Sequence, residues 1–145
     1  MPRLSRFFVK SALLCLVLGG AMAGLALSGA GGLPPLLLAL RPLAWHLLTV
    51  GWATQLIFGV AFWMFPHLPG GPPRGDERLA WLAFWTLNSG LALRALGEPL
   101  VTLGPMPLTA VLLPLAATLQ LAAVLLFVLL TWPGVRSLSA RHPPG

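Results

Sequence analysis

The chain has 145 residues, of which 57% are hydrophobic and 8% are charged. Because soluble domains carry about 25% charged residues, this composition excludes a water-soluble fold and predicts one integral membrane domain. The net charge is +6, but the basic residues stand at the ends of apolar runs, where they indicate membrane topology and no nucleic-acid partner.

Four apolar runs follow one another along the chain, each close to the length of about 20 residues that crosses a bilayer as a helix. We therefore predict an all-α, integral membrane four-helix bundle. The single membrane domain covers residues 1–145, with spans at about 11–28, 43–65, 79–96 and 106–132 and a basic flexible tail at 133–145.

The first span follows the basic segment MPRLSRFFVK and contains Gly19, Gly20 and Gly24. Such a start is also typical of a signal peptide, but the run is long and three more follow, so we predict a helix that stays attached. Its glycines allow another helix to approach closely. Cys15 is the single cysteine, which excludes an intrachain disulfide, and we expect it to be an apolar filler.

His46 lies just inside the second span and is the main functional candidate, because an ionisable side chain at that depth is costly without a partner. The ring is either structural, with a hydrogen bond to another helix, or an axial ligand to haem iron, and the residues alone leave both open. Gly51 stands where a flat macrocycle or another helix could approach the backbone. His67 and His142 fall in polar segments, where we expect them to be solvated.

The third span carries Arg94, with Glu98 one turn further along. Arg94 either pairs with Glu98 at helical i,i+4 spacing or, together with Arg41, lies near the carboxylates of a bound haem. Met106 begins the fourth span at a depth where it could be a sixth ligand, although a methionine there is more often filler.

The basic residues are distributed unequally between the two sides of the predicted membrane. Arg41 and Arg94 fall on one side, and the rest fall on the other: Arg3, Arg6, Lys10, Arg74, Arg78, Arg136 and Arg141. By the positive-inside rule, this places both termini in the cytoplasm, with the protein in the bacterial inner (cytoplasmic) membrane. His46 is then expected near the outer face.

The second span resembles the second helix of subunit I in haem–copper oxidases, especially the cbb3-type oxidases and nitric oxide reductases. The resemblance is carried by RPLAWH at residues 41–46 and by FWMFP at residues 62–66. It implies that His46 ligates a low-spin haem b near the outer face. The family subunit has three arcs of four helices, so the resemblance also implies that this chain corresponds to one arc and forms a homotrimer.

We therefore predict a membrane protein that binds haem b through His46. Its expected role is electron transfer, or haem or gas binding, in a respiratory chain. The cofactor-binding residues are predicted to be His46, Arg41, Arg94, Gly51 and Met106, with His46 as the metal ligand. The family's other histidines have no counterparts here, so no independent oxidase activity is expected.

Two other classes of protein are alternatives to a haem-binding protein. The first is a haem-free assembly or accessory subunit of a respiratory complex, in which His46 is structural and the glycine faces bind partner helices. The second is a small transporter, which the lack of acidic residues away from the span ends disfavours. The expected partners are the lipid bilayer, further copies of the chain and a respiratory redox protein.

Overall fold

The computed structural model describes residues 1–28, 39–64, 76–104 and 106–139. These residues form four helices and no strand: α1 (Arg3–Leu27), α2 (Arg41–Met64), α3 (Glu77–Leu103) and α4 (Pro107–Ser139). The predicted all-α class is therefore confirmed for this part of the chain. Three helical segments are long and apolar enough to cross a membrane: Arg3–Leu27, Arg41–Met64 and Pro107–Pro133.

The helices extend beyond the predicted spans at several ends. α1 already begins at Arg3, since arginine and lysine are good helix formers. α3 continues past Gly97 and through Pro99 to Leu103, which places Glu98 on the helix although the predicted span ends at residue 96. α4 continues through Pro133 to Ser139, and the rest of the predicted tail lies outside the described residues.

The second helix changes its winding immediately after His46. Arg41–His46 and Gln55–Met64 are α-helical, whereas Leu47–Thr54 is a π-helix. Within this segment the Thr54 hydroxyl donates to the carbonyl oxygen of Thr49, five residues back, at 3.1 Å. π-Helical turns are rare and often occur at functional sites, so the π-helix beside His46 indicates that this part of α2 belongs to a functional site.

The helices alternate in direction. Gly59 lies against Phe8 and Gly19 against Leu47, so α1 and α2 are antiparallel. α3 and α4 form the most extensive contact, and α1 packs mainly on α2. The neighbours of Gly90 and Gly97 on α4 run in reverse order, so α3 and α4 are also antiparallel. The start of α2 and the end of α3 meet on one side of the bundle, since His46 contacts Glu98 there.

An aromatic core fills the opposite side, where α1 and α3 begin. Phe58 of α2 and Phe127 of α4 stack there with ring centroids 3.8 Å apart and an interplanar angle of 5°. All four helices contribute to this core, which comprises Leu4, Phe8, Phe58, Phe62, Ala80, Phe84, Leu87, Ala123 and Phe127. This core lies at the end of the bundle away from His46, whereas a second, smaller apolar cluster lies nearer to His46 and comprises Cys15, Leu43, Leu47 and Leu91.

Candidate functional site

His46 lies where the start of α2 meets the end of α3. Its Nδ1 atom is 3.1 Å from Oε1 of Glu98 and 3.0 Å from the carbonyl oxygen of Pro42, one turn earlier on its own helix. The His46 side chain is 31% exposed, whereas that of Glu98 is 6% exposed. The imidazole therefore sits at the edge of the bundle with one nitrogen directed into it.

Glu98 is part of a chain of polar contacts that crosses three helices. Arg94, one turn before it on α3, donates from Nη1 to Oε1 of Glu98 at 3.0 Å. Arg94 also donates from Nε to Oε1 of Gln120 on α4 at 3.3 Å. The chain Gln120–Arg94–Glu98–His46, hereafter the polar chain, links α4, α3 and α2.

The partners of Nδ1 determine which ring nitrogen carries the proton when His46 is neutral. The Pro42 carbonyl and an ionised Glu98 carboxylate can only accept hydrogen bonds. Nδ1 must then be the donor, which leaves the lone pair on Nε2. Because both contacts use Nδ1, Nε2 has no hydrogen-bond partner in the part of the chain that the structure describes.

A cleft of about 400 Å³ opens beside the ring. It is lined by Ala39, Pro42, His46, Arg94, Glu98, Val101 and Leu113. The site thus combines an imidazole, an ion pair and apolar walls, which is the usual make-up of a small-molecule site.

The other predicted site residues lie elsewhere. Arg41 donates to the carbonyl oxygen of Ala26 on α1 at 3.2 Å, so the two arginines are on different sides of α2. Gly51 is buried against α1, where a Cβ atom would lie 2.8 Å from Sγ of Cys15, so a helix and not a cofactor approaches its backbone.

Met106 is 41% exposed, and it is not among the described residues that line the cleft. His67 and His142 lie outside the described residues.

Two residues of the polar chain were missed as site residues by sequence reasoning. Glu98 was predicted as a partner of Arg94, but it lies beyond residue 96, where the third span was predicted to end. Gln120 is an amide in an otherwise apolar span, and that isolated polarity was the available signal. Both residues contact Arg94, and the contact of Gln120 depends on how α3 and α4 pack.

Within the described residues, no group of three or more His, Cys, Asp and Glu side chains could hold a metal ion. A haem iron needs fewer protein ligands, because the porphyrin supplies four nitrogens. Comparisons with protein-family models, with characterised proteins and with solved structures each found no match for this chain.

Proposed function

We propose that this chain is a multi-pass membrane protein that binds haem b through Nε2 of His46. The hydrogen bonding of the ring carries the proposal, since Nδ1 lies 3.0 Å from the Pro42 oxygen and 3.1 Å from Glu98 Oε1. Histidines that ligate metals are usually held in this way, with the second nitrogen bonded to a carbonyl or carboxylate. The role is electron transfer, or haem or gas binding, within a respiratory membrane.

The residues around the cleft fit such a group. Val101 and Leu113 line the cleft and would supply apolar surface to a porphyrin bound there. The guanidinium of Arg94 has five donors, two of which are used by Glu98 and Gln120, so further donors remain for a propionate. Bound haem supplies one-electron chemistry and a coordination position for a small gas. The proposal rests on His46 and Arg94, because Arg41, Gly51 and Met106 are not among the described residues that line the cleft.

Absorption spectra of the purified protein test haem binding. We expect a Soret band in the wild type when cells are supplied with a haem precursor, and its loss in His46→Ala. His142→Ala is the matched control, because it removes the same ring from the C-terminal end and should keep the band. A wild-type preparation without a Soret band, or a His46→Ala protein that retains it, contradicts the proposal.

We further propose that the helices span a bacterial inner membrane, with both termini in the cytoplasm. The support is that Arg3, Arg6 and Lys10 lie at the start of α1, at the opposite end of the bundle from Arg41 and Arg94. Alkaline phosphatase and green fluorescent protein fusions at residue 145 report the side of the membrane. We expect fluorescence without phosphatase activity, and the reverse pattern would refute this orientation.

A homotrimer is the assembly that the likeness to one arc of an oxidase subunit implies. Head-to-tail contacts that close into a ring are a common way to build one. Native mass spectrometry from detergent measures the number of chains, and a monomer in every mild detergent would count against the trimer.

A haem-free accessory subunit is the second candidate, and one observation favours it. Gly20 and Gly24 of α1 have open space beside them, with no atom within 4 Å of a Cβ built on either glycine. Small residues at a free helix face suit a partner helix in the membrane. Co-purification with an oxidase complex, without stoichiometric haem in this chain, would favour this candidate over haem binding.

A further inference from the structure

One oxygen atom of Glu98 holds both of its polar contacts. Oε1 lies 3.0 Å from Nη1 of Arg94 and 3.1 Å from Nδ1 of His46. The other oxygen, Oε2, is buried and has no hydrogen-bond partner among the described residues. Burying a carboxylate costs free energy unless it is paired, so the two contacts at Oε1 are what stabilise this side chain in the bundle.

The position of Glu98 is fixed from two directions. Arg94 reaches it at i,i+4 spacing on α3, and Gln120 on α4 accepts a hydrogen bond from Nε of the same arginine at 3.3 Å. The guanidinium is therefore braced between two helices. Its positive charge pairs at 3.0 Å with the carboxylate that faces His46.

We propose that Glu98 is a positioning residue, whose carboxylate keeps the imidazole proton of His46 on Nδ1 and thereby presents the Nε2 lone pair to the cleft. The Pro42 carbonyl is the weaker acceptor, because hydrogen bonds to ionised acceptors are stronger than those to neutral ones. The inference rests on the proposed haem-binding function only in naming haem iron as the group that Nε2 binds. The tautomer is a property of the protein without haem.

The same contact affects the strength of the ligand. A carboxylate that accepts from Nδ1–H increases the electron density at Nε2, and such outer partners typically change metal affinity by about 10–100-fold. A more basic imidazole favours ferric over ferrous iron. Glu98 should therefore tighten haem binding and lower the midpoint potential of the bound haem.

Nitrogen NMR of the haem-free, full-length protein tests the tautomer directly. Histidine labelled with ¹⁵N in the ring distinguishes protonated from unprotonated nitrogens at a pH where the ring is neutral, and a His67→Ala, His142→Ala background leaves one signal set. We expect the Nδ1–H tautomer alone in this background and a mixture with Nε2–H after Glu98→Ala. Glu77→Ala is the matched control, because it removes a carboxylate at the other end of α3 and should change nothing.

Glu98→Gln separates the charge of the side chain from its ability to accept a hydrogen bond and preserves its volume. The amide oxygen can still accept from Nδ1–H, so we expect the tautomer to be kept. Haem should bind about 10–100-fold more weakly, with a higher midpoint potential. An unchanged tautomer in Glu98→Ala, or unchanged affinity and potential in Glu98→Gln, would overturn the positioning role.

The NMR and haem-binding experiments test the role of Glu98 and haem binding separately. A tautomer shift in Glu98→Ala supports the positioning role even if the wild type binds no haem, in which case only the proposed function fails. A Soret band that requires His46, with the tautomer unaffected by Glu98→Ala, overturns the positioning role and supports haem binding.

Discussion

Nδ2 of Asn88 donates to Oε1 of Gln55 at 3.2 Å, which joins α3 to α2 between the aromatic core and the His46 cleft. Oδ1 of the same amide accepts from the Ser11 hydroxyl on α1 at 2.9 Å. Gln55 is fully buried. One asparagine thus ties three helices together in a region that otherwise packs apolar side chains.

Replacing Asn88 with leucine should destabilise the bundle by about 1–3 kcal/mol, because it leaves the buried Oε1 of Gln55 without its hydrogen-bond donor. Reversible unfolding in mixed micelles measures the change. Thr118→Val is the control, since that hydroxyl bonds the Leu115 carbonyl oxygen on its own exposed helix face. The double variant Asn88→Leu, Gln55→Leu should recover part of the loss, and strictly additive effects would argue against a direct coupling.

Gly51→Ala should destabilise the α1–α2 contact by about 1–3 kcal/mol, as overpacking of a well-packed interior does. A Cβ atom at position 51 would lie 2.8 Å from both Cβ and Sγ of Cys15, closer than side chains pack. Gly20→Ala is the matched control, because the space beside Gly20 is open. The rate at which a thiol reagent modifies buried Cys15 reports opening of this contact, and equal rates in both variants would contradict the expectation.

The four helices were predictable because each contains an apolar run between polar or Gly- and Pro-rich segments, although α3 is not among the three that are apolar enough to cross a membrane. Their ends were less predictable, as α3 shows. Gly97 and Pro99 are typical loop residues, yet the helix continues through both to Leu103. Packing against α4 explains the difference, since a Cβ on Gly97 would lie 2.9 Å from the Leu113 side chain. Contacts between helices override local propensity in such places.

The candidate site was predictable only in part, because its members come from three helices. The depth of His46 in an apolar span indicated a partner, and the spacing of Arg94 and Glu98 indicated their ion pair. The sequence pattern did not show that the Glu98 side chain contacts His46. It also did not show that Arg41 donates a hydrogen bond to α1 instead of lying beside Arg94. Those relations depend on how far each helix is rotated about its axis, which spacing along one helix does not fix.

Arg94→Gln should destabilise the protein by about 3–5 kcal/mol, because it leaves the carboxylate of Glu98 buried without its opposite charge. The pair is separated by 3.0 Å, with side-chain exposures of 18% and 6%. Thermal unfolding followed by circular dichroism measures the loss. Arg78→Gln is the control, because Arg78 is exposed and contributes its backbone N–H to the cap formed by Asp76.

The charge explanation is tested by a second substitution in the same variant. Arg94→Gln combined with Glu98→Gln removes both charges and should regain most of the stability lost in Arg94→Gln alone. If the double variant is as unstable as the single one, packing of the arginine side chain and not its charge accounts for the loss.

Phe127→Ala should lower stability by about 3 kcal/mol, at the low end for a large aromatic truncated in a packed core. The ring stacks on Phe58 with centroids 3.8 Å apart, and both residues belong to the core shared by all four helices. Leu129→Ala is the control. Leu129 is 66% exposed, so its truncation removes apolar surface without opening a cavity. Because the aromatic core lies at the other end of the bundle from His46, Phe127→Ala should leave the His46 tautomer unchanged. A tautomer shift in this variant would show that the two ends are coupled.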